Sequence, residues 1–199
     1  MYHSVDMSDN LMKVPLEVSA RHVHLSQKDQ DALFGEGYVM NIMKELSQSG
    51  QWAAEERVTV RGPKGEVTAR VLGPCRRQTQ VEMSKTDCLK VGIEPTLRLS
   101  GNLVGTPGCN LIGPAGEVKL EEGVLVAKRH VHMSEEEAEA RGLKKDDIVS
   151  VRIPGERGLT FHEVHVRVDA SFRLSAQFDT DEGNAAWLDV TGGEGEIIK

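Results

Sequence analysis

Four histidines stand in two alternating pairs, His22 and His24 in RHVHLS and His130 and His132 in RHVHMS. In a strand, residues i and i+2 project to the same side, so each pair presents two imidazoles side by side. One such pair also suits a polar strand face with no ligand. Two nearly identical copies in matching contexts point to metal binding. Two imidazoles do not complete a site, because a catalytic zinc takes three protein donors and keeps a position open for water or substrate. Among many carboxylates, Glu82 in GPCRRQTQVEMS stands out, since it sits in a short strand-like run after Arg76 and Arg77. An arginine beside a metal is a suitable phosphate clamp, giving bidentate hydrogen bonds to an oxyanion that the metal also polarises. The same spacing also suits a solvated turn.

Other chemistry-bearing residues are weaker candidates. HEVH, at residues 162–165, would need a helix to put both histidines on one face, but its flanks alternate as a strand does. Val164, Val166 and Val168 would share one side of that strand, leaving Glu163, His165 and Arg167 on the other. His3 belongs to a mostly polar N-terminal stretch. Cys75 invites a nucleophile reading, because the adjacent Arg76 would lower a thiol pKa. Cys75, Cys88 and Cys109 are odd in number and lack CxxC spacing, which suits three reduced, small hydrophobes.

The elements that must position these residues are legible in outline. Val14 to Leu25 reads as a strand leading into a helix, with Ser26 as N-cap and Asp29 three residues on. Ser134, followed by three glutamates, repeats the signature before a helix running to about Arg141. RVTVRGPKGEVTARVLG and CNLIGPAGEVKLEEG read as β-hairpins. DDIVSVRI and LTFHEVHVRV read as two further strands, and DTDEGNAAWL as an Asp or Thr cap with a short helix. Short, closely spaced strands and few helices predict a mainly β protein with short helices, built as two small barrels or sandwiches rather than a parallel α/β sheet. The two HxH copies lie too far apart for a solenoid repeat and suit an internal duplication.

Composition sets the outer limits. With 199 residues, 39% of them hydrophobic, the chain can bury a real core, and with only 4% aromatics that core must be aliphatic. A net charge of −7 gives no long-range attraction to nucleic acid or to an anionic membrane, while leaving room for a local basic pocket. The N-terminus has no signal-like apolar stretch, and no segment nears the roughly 20 apolar residues of a membrane span. A cytoplasmic protein is expected.

Four segments in this order, SARHVHLS, GPCRRQTQVEMSKTD, LIGPAGEVKLEEGVLVAKRHVHMS and FDTDEGNAA, resemble the propanediol-utilisation (PduL) type of phosphate acyltransferase. The resemblance runs from about Val14 to about Ala186. It implies a phosphotransacylase that transfers a short acyl group, acetyl or propionyl, reversibly between coenzyme A and inorganic phosphate. It also implies two β-barrel domains with the active site between them, one of residues 1–20 plus 128–199 and the other of 21–127. Carried over by motif, His22, His24 and Glu82 hold one zinc, His130 and His132 a second, and Arg76 and Ser19 line the pocket. Two zinc ions per chain are expected, with acyl-CoA and phosphate as partners and no nucleic acid or membrane. A homodimer is expected as the commonest symmetric oligomer. Some members are targeted to bacterial microcompartments by an N-terminal amphipathic extension; here only about 13 mostly polar residues precede the first strand, so no clear extension of that kind is seen.

The chain departs from the family pattern at one metal position. A run resembling MHIDTDE in the family reads AQFDTDE here, so Gln177 takes the place of a third histidine. A neutral amide oxygen is a poorer zinc donor than imidazole and suits harder metals. Two alternatives follow. One is a non-catalytic or metal-altered acyl-CoA or phosphate-binding paralogue. The other is a cupin-like metalloenzyme, which also uses HxH with a nearby glutamate; Glu136 has the spacing but falls on the capped helix.

Overall fold

The computed structural model describes residues 12–189 and 192–199, so His3 lies outside the described residues. The chain divides into two compact units. One combines the chain up to Ser19 with Arg129–Lys199, and the other is Ala20–Lys128. Among the described residues the architecture is mainly β with four short helices, as a closed six-stranded barrel and a curled nine-stranded sheet that forms a half barrel. No helix among the described residues is long and apolar enough to cross a membrane.

The barrel holds β1 (Lys13–Ser19), β11 (His130–Met133), β12 (Ile148–Ile153), β13 (Leu159–Val168), β14 (Ser175–Asp179) and β15 (Gly193–Ile198), in the order β1-β14-β11-β13-β12-β15. Alternation fills its interior with Val14, Leu16, Val131, Met133, Phe178 and Ile197. Closure brings backbones close where β15 runs between β1 and β12. A Cβ on Gly195 would sit 2.8 Å from Leu16 Cδ2 and 2.9 Å from the Arg152 carbonyl oxygen, so only glycine fits.

The half barrel runs β7 (Leu97–Arg98), β10 (Val124–Ala127), β6 (Gln80–Glu82), β2 (His22–Ser26), β5 (Gly65–Arg76), β4 (Trp52–Gly62), β8 (Cys109–Ile112) and β9 (Glu117–Leu120), with β3 (Ile42–Glu45) on β4. β4–β5 and β8–β9 are the two expected hairpins. Val23, Leu25, Val60, Val71, Val81 and Leu111 anchor its aliphatic core.

The single strand expected from Val14 to Leu25 is instead two, β1 and β2, broken at Ala20 and Arg21. β1 pairs with β14 and β15, whereas β2 pairs with β5 and β6, so the break is where the chain leaves one sheet for another. The helix signatures stand. Ser26 caps α1 (Gln27–Phe34), and Ser134 caps α3 (Glu135–Ala140) with a reciprocal bond to Glu137. Ser84 caps α2 (Lys85–Val91), and Asp179 caps α4 (Thr180–Ala185) with a reciprocal bond to Glu182.

The duplication is visible in topology. β2 lies between the parallel β5 and the antiparallel β6, and β6 leads into capped α2. β11 lies between the parallel β13 and the antiparallel β14, which leads into capped α4. Each HxH strand is thus central to the same local arrangement, once per unit.

Candidate metal centre

In the half barrel, Val23 and Leu25 of β2 face the core, which leaves His22 and His24 on the opposite face. β6 runs antiparallel to β2 and places Glu82 opposite His22 and Gln80 opposite His24. One donor atom from each of His22, His24 and Glu82 lies within 4.8 Å of the others. His22 Nδ1 is 2.8 Å from the Ala20 carbonyl oxygen, which can only accept, so Nδ1 carries the hydrogen. Its Nε2 stands 3.6 Å from Glu82 Oε2. The Nδ1 of His24 is buried with no hydrogen-bond partner, although the Leu72 carbonyl biases the ring. A buried imidazole with a free nitrogen is costly unless that nitrogen finds a partner, and a ligating imidazole commonly turns its other nitrogen to a backbone carbonyl, as His22 does to Ala20. The three residues fit a metal.

The electrostatics suit the same reading. Burial pushes Glu82 up, but the facing His22, then His24 and the Ser100 hydroxyl, hold its carboxyl well below the usual carboxylate range. Burial also pulls His22 down, yet the Glu82 carboxylate outweighs it and raises the imidazole. His24 is depressed well below its ordinary value by burial, by His22 and by the Arg76 charge. Glu82 is thus held ionised and His24 neutral, as a metal requires, whereas His22 is held toward its protonated form by Glu82 and gives up that proton when a cation binds. Glu82 Oε1 accepts from Ser100 Oγ at 2.9 Å and from Gln80 Nε2, so its orientation is fixed from behind.

Arg76 ends β5 opposite Ser26, with Nη1 3.4 Å from Ser100 Oγ, and its charge is felt by both histidines. Arg77 is exposed. The arginine that precedes each HxH pair has a different task. Arg21 Nη1 reaches both Asp87 oxygens, at 3.1 and 3.2 Å, in the first turn of α2. Arg129 Nε meets Glu182 Oε1 at 2.7 Å in the first turn of α4. In both units, this arginine ties the HxH strand to the helix that follows the antiparallel neighbour.

In the barrel, Val131 and Met133 point inward, so His130 and His132 lie on the outer face, with ring centroids 4.5 Å apart. The His132 ring also lies 4.3 Å from Phe172, over which Arg167 sits. Gln177 stands opposite His130, the register position that Glu82 holds opposite His22. Ser19 ends β1 opposite Asp179, in the same unit. The sequence-derived candidates therefore fall into two groups, His22, His24, Glu82 and Arg76 in one unit and Ser19, His130, His132 and Gln177 in the other. Among the described residues, only the first contains three histidine or carboxylate donors clustered for a cation.

The rival candidates fare differently. HEVH is strand, as expected, with His165 opposite His130 and His162 Nδ1 2.8 Å from Ser150 Oγ. Glu136 is exposed on α3, away from the donor set of a cupin-like site. Cys75 Sγ donates to Gln30 Oε1 at 3.1 Å, and burial with the nearby Asp31 pushes its thiol up rather than down. Burial pushes Cys109 up to about 12. A thiol-reactive dye should label Cys75 slowly in the folded protein and Cys88 and Cys109 only after unfolding. Fast labelling of all three would contradict this packing. Ser100, Gln80, Phe172 and Glu17 went unnoticed in the sequence; only Gln80 carried a signal, two residues before Glu82 on one strand face.

A family model described as phosphate propanoyltransferase matches residues 15–189. The phosphate propanoyltransferase of Thermotoga maritima is 52% identical over 175 residues, covering 87% of this chain and 83% of that protein. That of Salmonella typhimurium is 49% identical over 178 residues, 88% of this chain and 84% of its own. The enzyme of the same name from Clostridioides difficile is 47% identical over 173 residues, 86% and 83% of the two chains.

Proposed function

This chain belongs to the phosphate propanoyltransferase family and is an acyltransferase, and on that premise we propose that it transfers an acetyl or propionyl group reversibly between coenzyme A and inorganic phosphate. The observation that carries the reading is the repeated module in which an HxH strand meets a third donor across an antiparallel neighbour, Glu82 in one unit and Gln177 in the other.

His22, His24 and Glu82 would hold one zinc ion, and His130, His132 and Gln177 the second. Bound there, zinc supplies Lewis-acid chemistry toward a carbonyl or phosphoryl oxygen and a soft partner for sulfur. Arg76 binds the phosphate dianion and offsets its charge, held in place through Ser100. The Ser19 hydroxyl, at the end of β1, serves as a further hydrogen-bond donor to substrate. A phosphate oxygen adds to the thioester carbonyl, the C–S bond breaks, and coenzyme A departs as thiolate, which takes up the proton that hydrogen phosphate gives up as acyl phosphate forms. Holding both reactants in one geometry is worth about 7 kcal/mol or more of the barrier. No acyl-enzyme is needed, and the raised thiol of Cys75 fits none. Cys75→Ser should leave turnover intact.

The test is metal content per chain with phosphate-dependent release of thiol from acetyl-CoA and propionyl-CoA. Two metals and release support the reading; a metal-replete protein that releases no coenzyme A overturns it. Arg76→Ala should raise KM for phosphate by about tenfold to a hundredfold, the worth of one charge-assisted pair. An unchanged KM would remove Arg76 from the phosphate site. Gln177 motivates a second reading, a non-catalytic coenzyme A or phosphate binder. Its signature is coenzyme A binding without turnover that Gln177→His does not rescue.

A further inference from the structure

The two copies of the module differ in where they keep their negative charge. In the half barrel, the carboxylate of Glu82 faces His22 directly. In the barrel, Gln177 faces His130, and the next residue outward in the same row is Glu17 on β1, paired with Gln177 across the parallel β1–β14 ladder. Glu17 and Gln177 share the outward side of their strands, since Leu16, Ala176 and Phe178 are the inward ones. They touch. Gln177 Nε2 donates to Glu17 Oε2, and also to Ser175 Oγ at 3.2 Å.

That contact settles which way the amide points. A carboxylate can only accept, so the end of the amide toward Glu17 must be the NH2 group, whichever way the planar group is first drawn. β14 lies between β1 and β11. With its nitrogen committed to Glu17 on the β1 side and to Ser175, the carbonyl oxygen is the end of the amide left for a partner, and His130 is the residue opposite on β11. Donation to an anion also draws charge onto that oxygen, improving a weak neutral donor.

The geometry points to Glu17 as a positioning residue for the second metal: it locks the Gln177 amide so that Oε1 serves as third donor beside His130 and His132. This rests on the two-metal reading above. It also accounts for how a glutamine stands where a stronger donor would be expected, since the carboxylate charge has moved one strand outward and acts through the amide.

Cobalt(II) titration of metal-stripped, full-length protein, followed by visible absorption and metal content per chain, tests the assignment without relying on turnover. The parent should take two equivalents. Glu17→Gln, which is isosteric but can present either a donor or an acceptor, should fill the first site normally and lose about tenfold to a hundredfold in affinity at the second. Combining it with Gln177→His should restore the second equivalent, because an imidazole has no amide to orient. Gln177→Ala with Glu17 intact should lose it. Retention of both equivalents at parental affinity in Glu17→Gln overturns the proposal, and so does failure of the double variant to recover with an unchanged near-ultraviolet spectrum. Retention in Gln177→Ala overturns it too, transferring the donor role to Glu17 itself or to His165. A parent that takes only one equivalent fails at the earlier step and removes the two-metal reading together with this one.

Discussion

Glu82→Gln is expected to empty the half-barrel metal site and to lower kcat/KM by about a thousandfold or more, the loss of some 4 kcal/mol of transition-state stabilisation. The substitution keeps the shape. The oxygen facing Ser100 and Gln80 can still accept their hydrogen bonds, so the packing behind the site survives. What changes is the end that faces His22. The carboxylate presents an acceptor 3.6 Å from His22 Nε2, whereas the amide presents a donor. Because His22 Nδ1 carries its hydrogen toward Ala20, Nε2 holds the lone pair, and the introduced NH2 would bind it. A cation would then compete with a buried hydrogen bond and would find no anion in the donor set. Metal analysis beside the thiol-release assay measures both effects, and Glu82→Asp should fall between parent and amide. Full metal load and full turnover in Glu82→Gln would exclude Glu82 from the donor set.

What the sequence exposed was the local part of this site. The HxH pairs, the Ser26, Ser134 and Asp179 caps and the Pro-Lys-Gly hairpin all depend on residues within a few positions of one another. Their chemistry is written in short motifs. Glu82 was visible as a strand carboxylate near Arg76, and Gln177 as a departure from a familial motif. Their shared register opposite His22 and His130 was not, because it depends on strands that pair across large sequence separations. The same blindness joined β1 to β2. Alternation through VPLEVSARHVHLS reads as one strand until pairing assigns its two ends to different sheets. Ser100 lies in LRLSGN with nothing to mark it, yet it binds both Glu82 and Arg76. Glu17 looked like an ordinary polar residue of an alternating strand. Only the parallel pairing of β1 with β14 reveals that it backs Gln177.

Phe178→Ala should be the most destabilising single change in the barrel, by about 3–5 kcal/mol. Phe178 is 1% exposed and stacks on Phe161 at 4.8 Å, in a core otherwise almost wholly aliphatic. Removing the ring loses its transfer energy and leaves a cavity that the β-branched neighbours, stiff at χ1, fill poorly. For a unit of this size, each kcal/mol moves the midpoint by about 4–8 °C, so calorimetry should place barrel melting about 12 °C or more lower. The functional consequence follows from where the ring sits. β14 carries Gln177 and Asp179 on its outer side, is bonded to β1 on one edge and to β11 on the other, and is braced from within by Phe178. Loosening that brace moves Gln177 against His130 while leaving His22, His24 and Glu82 on a different core. Below its lowered midpoint the variant should therefore still fill the first cobalt site at parental affinity, fill the second more weakly and turn over more slowly. Equal weakening at both sites would mean that the two donor sets do not depend on separate cores.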